Sequence, residues 1–160
     1  MDCLDLLTQQ HTRIDTLVAK LERGGEDSEA IFAELADVLA AHARIEEEIF
    51  YPAALTQETA GMLHEATEEH LAVKRVLADM LELTVDDEIF AAKLAVLKEQ
   101  LHHHAHEEEE DKLFPKVRKR LDDEQRFALG SEMLALFEET MEGEPRFEIT
   151  VETDEAATLN

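Results

Sequence analysis

Residues 102–115 read H-H-H-A-H-E-E-E-E-D-K-L-F-P. Four imidazoles and five carboxylates lie between His102 and Asp111. A plain scaffolding helix has no use for that charge density, whereas a bound cation would explain it. On a helix, where successive side chains turn by about 100°, Leu97, Leu101, His104 and Glu108 share one face. His102, His103 and His106 point elsewhere. His104 thus continues an apolar stripe and Glu108 follows one turn later, so an imidazole and a carboxylate can reach the same ion. For this stretch alone, a solvated acidic face with outward histidines is the competing reading.

The pattern occurs twice. His42 and Glu46 repeat the spacing in H-A-R-I-E-E-E-I-F-Y-P, again behind leucines (Leu35, Leu39) and ahead of an aromatic–Pro pair. Two copies argue for one shared site. Two further histidines fall in phase with apolar stripes. His11 lies among Leu4, Leu7, Ile14, Val18 and Leu21, in a segment that Gly24 and Gly25 end. His70 lies among Leu63, Ala66, Val73, Leu77 and Leu81, while His64, Glu47 and Glu48 read as surface. Ser28 suits the start of the second helix and Asp87 the start of the fourth, with a break or bend at Pro52 and at Pro115.

Four amphipathic helices joined by short loops predict an all-α fold, an up-down antiparallel four-helix bundle over residues 1–121. An additional helix is expected over 122–142, capped by Asp122 or Asp123. It would carry Phe127, Leu134, Phe137 and Met141 on its buried side, with Gly130 as a weak point. From Gly143 the pattern changes: Phe147, Ile149 and Val151 alternate with polar residues, a strand signal with no partner strand. Residues 143–160 are therefore expected to form a mobile acidic tail.

Composition narrows the function. With 39 acidic against 15 basic residues and a formal charge of −24, the chain repels phosphate backbones and anionic membranes and attracts cations. Nucleic acid and membrane are not expected partners. The N-terminus lacks a secretory signal and no segment approaches membrane-spanning length, so a cytoplasmic location is expected. Cys3 is the only cysteine, which excludes an internal disulfide and a thiolate zinc site.

One in-phase histidine on each of four helices, with two in-phase glutamates, would leave a core badly undersolvated without a partner. Imidazole and carboxylate donors suit iron, manganese or zinc. Six side chains are too many for one tetrahedral ion and suit two, with the glutamates free to bridge. The expected metal set is His11, His42, Glu46, His70, His104 and Glu108. Because His104 to Pro115 is one residue longer than His42 to Pro52, the second motif needs a one-residue bulge. If the bulge precedes Glu108, Glu109 replaces it. Ferritin-like carboxylate sites need two Glu-x-x-His motifs, and Glu99–His102 is the only instance.

The ordered set His11, His42-x-x-x-Glu46, His70 and His104-x-x-x-Glu108, with F-Y-P and L-F-P after the paired motifs, resembles the hemerythrin-like, or HHE cation-binding, family. The resemblance spans residues 1–121. It implies two non-haem iron ions with an oxo or hydroxo bridge, His11 and His42 on one, His70 and His104 on the other, and bridging carboxylates. Binding or reaction with dioxygen, peroxide or nitric oxide, in sensing or detoxification, would follow. Oxygen-carrying members have a further histidine one turn after the third-helix ligand. Lys74 stands there, which speaks against reversible oxygen carriage. Two alternatives are a non-catalytic divalent-cation or iron-storage module, with His102, His103 and His106 adding surface affinity, and a metal-free structural bundle.

The charge also predicts a salt response. A strongly negative surface with few lysines suits a high-salt interior, where dense charge preserves solubility, so the melting temperature should rise in molar potassium chloride. An unchanged or lower melting temperature would refute this.

Overall fold

A computed structural model of the chain describes residues 1–154. Helix α1 (Cys3–Arg23) begins at Asp2, whose carboxylate accepts from the Leu4 N–H at 2.8 Å. It stops at Gly24, where a φ of 72° is open to glycine at little cost. Helix α2 (28–54) runs as an α-helix over Ser28–Ile45, widens to a π-helix over Glu46–Phe50 and closes as an α-helix over Tyr51–Ala54. Helix α3 is Ala60–Leu81. Helix α4 (88–120) repeats the design of α2: α-helical over Glu88–His102, π-helical over His103–Leu113, α-helical over Phe114–Arg120.

These four helices form the bundle, and their apolar stripes meet in one continuous core. The widened stretches have a local cause. Proline lacks an N–H and its ring crowds the carbonyl four residues back. Just ahead of Pro52 and Pro115, the Tyr51 N–H donates to the Glu46 carbonyl and the Phe114 N–H to the Glu109 carbonyl, each five residues back. The helices pass their prolines without breaking.

Helix α5 (Asp123–Glu142) starts at a capping box formed by Asp122 and Gln125. It packs on α1 and α2, but only partly by the expected face: Phe127 is 57% exposed and Leu134 is exposed too. Arg126, Gly130, Met133 and Thr140 are buried in their place, while Phe137 is buried and Met141 packs against the core as expected. Two long-range contacts set this rotation. The Arg126 guanidinium donates to Asp2 at 2.7 Å, and Gly130 lies so close to the start of α1 that an added Cβ would overlap the Met1 carbonyl oxygen. Gly130 is a point of close approach and not a weak spot.

Residues 143–154 also depart from expectation. No strand occurs among the described residues. Glu144, at φ 50°, redirects the chain into a 3-10 turn (Pro145–Glu148) and a last helical turn α6 (Ile149–Glu152). Pro145 and Ile149 are buried. The Arg146 backbone N–H and guanidinium donate to the two oxygens of the buried Asp37 at 2.9 and 2.6 Å. Ile149 is buried where α6 packs on α3. The remainder of the expected tail, 155–160, lies outside the described residues.

Replacing Gly130 by alanine should lower stability. Overpacking typically costs about 1–3 kcal/mol, against a helix-propensity gain of about 1 kcal/mol. A urea midpoint at or above that of the parent chain would show that the start of α1 yields freely.

Candidate metal centre

His11, His42, His70 and His104, one from each bundle helix, are all buried and converge midway along the bundle. They form two adjoining groups. In the first, His70 Nε2 and His104 Nε2 are 3.0 Å apart, Glu46 Oε2 is 2.9 Å from His70 Nε2, and Glu109 Oε1 is 2.5 Å from His104 Nε2. Two nitrogens each about 2.1 Å from one ion at right angles would lie about 3.0 Å apart. The second group contains His11, His42 and Glu46, with Glu46 Oε1 3.2 Å from His42 Nε2. Glu109 Oε2 stands 3.9 Å from His11 Nε2. Glu46 and Glu109 are 0% and 1% exposed, and each turns one oxygen toward each group.

Glu108 is not among these residues. Its carboxylate accepts from Lys112 Nζ at 2.7 Å at the surface, and Glu109 takes the inward position. The reason is the backbone. The π-helix begins at His103, ahead of Glu108, so five residues and not four separate His104 from the carboxylate on the same face. Counting back from the aromatic–Pro pairs finds it: Glu46 lies six residues before Pro52, and Glu109 six before Pro115.

The buried atoms fit a cation better than they fit one another. His11 Nε2, Glu46 Oε1 and Glu109 Oε2 have no hydrogen-bond partner, although such groups are costly to bury unpaired. Burial pushes the Glu46 pKa up, but His42 and the hydrogen bonds of His104 and His70 outweigh it and hold the carboxyl well below its ordinary range. At His104, burial disfavours the charged ring, yet Glu109, Glu46 and Glu69 hold its pKa well above the usual value. The carboxylates call for positive charge at this point. The donors are oxygen and imidazole nitrogen, which suit iron, manganese or zinc.

A family model described as the hemerythrin HHE cation-binding domain matches residues 2–117. The chain belongs to that family. A crystal structure of a hemerythrin HHE cation-binding domain-containing protein from Mycobacterium kansasii is similar throughout, with 26% identity, a TM-score of 0.77, and coverage of 96% of this chain and 94% of that one. No curated protein matches the chain.

Within this HHE domain the structure brings in residues that helical periodicity does not reveal. The Tyr51 hydroxyl, fully buried, donates to Glu109 Oε1 at 3.0 Å and lies 3.1 Å from His70 Nε2. Every ring has an acceptor at Nδ1: Glu110 for His11 (2.7 Å), Gln10 for His42 (2.6 Å), Glu47 for His70 (3.3 Å) and Glu69 for His104 (3.3 Å). In a neutral ring this leaves Nε2 bare toward the centre. Glu47 is therefore half-buried and engaged, not free surface. The available signal was adjacency, since each acceptor sits beside a buried His or Glu in the chain. His102, His103 and His106 stay outside the centre. His103 pairs with Glu69 and Glu107, and His106 with Asp15 and Glu110. Lys74 pairs with Glu47 at 3.2 Å and with Glu152 of α6 at 3.4 Å.

Two measurements check this geometry. Glu109→Ala should lose most bound metal, and Glu108→Ala should retain it, by elemental analysis of the purified protein. The raised His104 pKa sets the pH sense. Without a cation, the charged ring stabilises the fold below its unfolded value near 6.5, and this contribution is lost as pH rises through the folded pKa. Metal must displace that proton, so zinc affinity should rise with pH through the same window. A pH-independent affinity would contradict it.

Proposed function

We propose that the protein holds two iron ions between these groups and there binds or reacts with dioxygen, peroxide or nitric oxide. The observation that carries this reading is the division of Glu46 and Glu109, each with one oxygen toward His70–His104 and the other toward His11–His42. His11 and His42 would hold one ion, His70 and His104 the other, and the two carboxylates would bridge. When bound, an iron pair supplies Lewis acidity and one-electron chemistry.

The chain's own residues shape what can enter. A cavity of about 30 Å³ adjoins the four histidines, walled by Ile14, Leu39, Val73, Leu77 and Leu101. A site for one water needs about 10–15 Å³, so a diatomic or peroxide-sized molecule fits and an organic substrate does not. Apart from the histidines, the polar side chains on its lining are Asp15 and Lys74. Tyr51 OH, hydrogen-bonded to Glu109, is the one neutral oxygen donor beside His70 and His104 and can orient a ligand or join the ion's shell. Lys74 occupies the position where a further histidine would serve oxygen carriage, and its ammonium is engaged by Glu47 and Glu152. Reaction or sensing is favoured over reversible carriage. We place this activity in the cytoplasm; among the described residues no helix is long and apolar enough to cross a membrane.

Protein produced in iron-replete medium should carry two iron ions per chain and show the near-ultraviolet and visible absorption of a bridged ferric pair, altered by azide or peroxide. A colourless protein carrying zinc would support the non-catalytic cation module instead.

A further inference from the structure

The two halves of the bundle build the centre alike. Gln10–His11 on α1 stands to α2 as Glu69–His70 on α3 stands to α4. His42, Glu46, Glu47 and Tyr51 on α2 correspond to His104, Glu109, Glu110 and Phe114 on α4. The Nδ1 acceptors close a circuit around the bundle. Gln10 of α1 holds His42 of α2, Glu47 of α2 holds His70 of α3, Glu69 of α3 holds His104 of α4, and Glu110 of α4 holds His11 of α1.

Exchanging the halves maps Glu47 onto Glu110, but the correspondence fails at two places. Where His104 donates to the Glu69 carboxylate, His42 donates to the neutral Gln10 amide. Where the Tyr51 hydroxyl reaches His70, the Phe114 ring stacks on His11, centroids 6.1 Å apart. Both failures favour the same side. A carboxylate acceptor at Nδ1 raises the basicity of the ring nitrogen that faces the metal, and an amide does so much less. The His70–His104 group has two carboxylate-backed imidazoles and a hydroxyl nearby, while the His11–His42 group has one carboxylate-backed imidazole and a phenyl ring.

We infer that Gln10 is a positioning residue that makes the two metal positions unequal, so that divalent ions fill the His70–His104 position first and the His11–His42 position second and more weakly. This rests on the dinuclear reading above. Gln10 is buried and acts through His42 alone: it fixes the ring's tautomer and orientation without lending it negative charge. The second ion is thereby the exchangeable one.

The test is an anaerobic titration of the metal-free full-length protein with cobalt(II), followed by visible absorption and calorimetry. The parent chain should take two equivalents whose affinities differ by about tenfold or more. Glu69→Gln should weaken the first equivalent by about 10–100-fold, the usual effect of losing such a partner, and leave the second nearly unchanged. Gln10→Glu should tighten the second and narrow the gap. These single-group exchanges move affinity in opposite directions, which a general loss of folding cannot imitate. His11→Ala should keep the first equivalent and His70→Ala should abolish it, with helix content of the metal-free forms checked by circular dichroism. Two equal equivalents would overturn the ordered filling, and a gap unaffected by Gln10→Glu would overturn the role of Gln10, while either result leaves the dinuclear site standing. Uptake of a single equivalent by the parent chain would overturn both.

Discussion

Glu46 and Glu109 sit at the centre of a helical bundle with essentially no contact with solvent, and a carboxylate there persists only where positive charge or donors answer it. Much of the molecule is arranged around that requirement. Four imidazoles come from four separate helices, so the helices must hold a common register for the rings to meet. The leucine, isoleucine and valine stripes supply that register through packing. Buried oxygens without partners remain on both carboxylates, and a cation satisfies them with one interaction where hydrogen bonds would need several more donors.

Precision comes from the surroundings of the rings. Glu47, Glu69 and Glu110 are partly exposed, and their pKa values are lowered. Burial works against this at Glu47 and Glu69, but the histidine contacts prevail, and at Glu110 the His11 hydrogen bond leads. They remain charged acceptors that lock each imidazole in place, and their water-facing sides limit the penalty of holding charge. Further out, α5 and the last helical turn brace the wall. Arg126 ties α5 to Asp2 at the start of α1, Arg146 ties residues 145–148 to Asp37 of α2, and Lys74 links α3 to α2 and α6. Each pair is shielded on at least one side, which gives it more weight than a solvated surface pair.

The widened helices show how backbone and chemistry are coupled. A π-turn is rare and gives up regular hydrogen bonding, yet here it accommodates a proline in both α2 and α4, and in α4 it also turns Glu109 inward. The aromatic residue that follows then covers the centre: Tyr51 stacks on His70 and Phe114 on His11. The hydroxyl by which these two rings differ is one of two places where the halves of the centre cease to match.

From residue order alone, the helical fold, the four in-phase histidines and Glu46 could be read, because a 3.6-residue period is a local property and a buried face must be apolar wherever it packs. The same period put Glu108 first, since it assumes a regular helix; the extra residue before Pro115 left Glu109 as the rival, and the π-turn ahead of Glu108 selects it. Residue order also misplaced Phe127 and Leu134 on α5 and the course of residues 143–154. Those are settled by Asp2 meeting Arg126, by the close approach of Gly130 to Met1, and by Asp37 meeting Arg146. Such partners lie about a hundred residues apart in the chain, and no periodicity links them. The circuit of Gln10, Glu47, Glu69 and Glu110 belongs to the same class. Each residue borders a recognisable histidine or glutamate in sequence but serves a ring on the next helix, a pairing that exists only once the helices have closed around the centre.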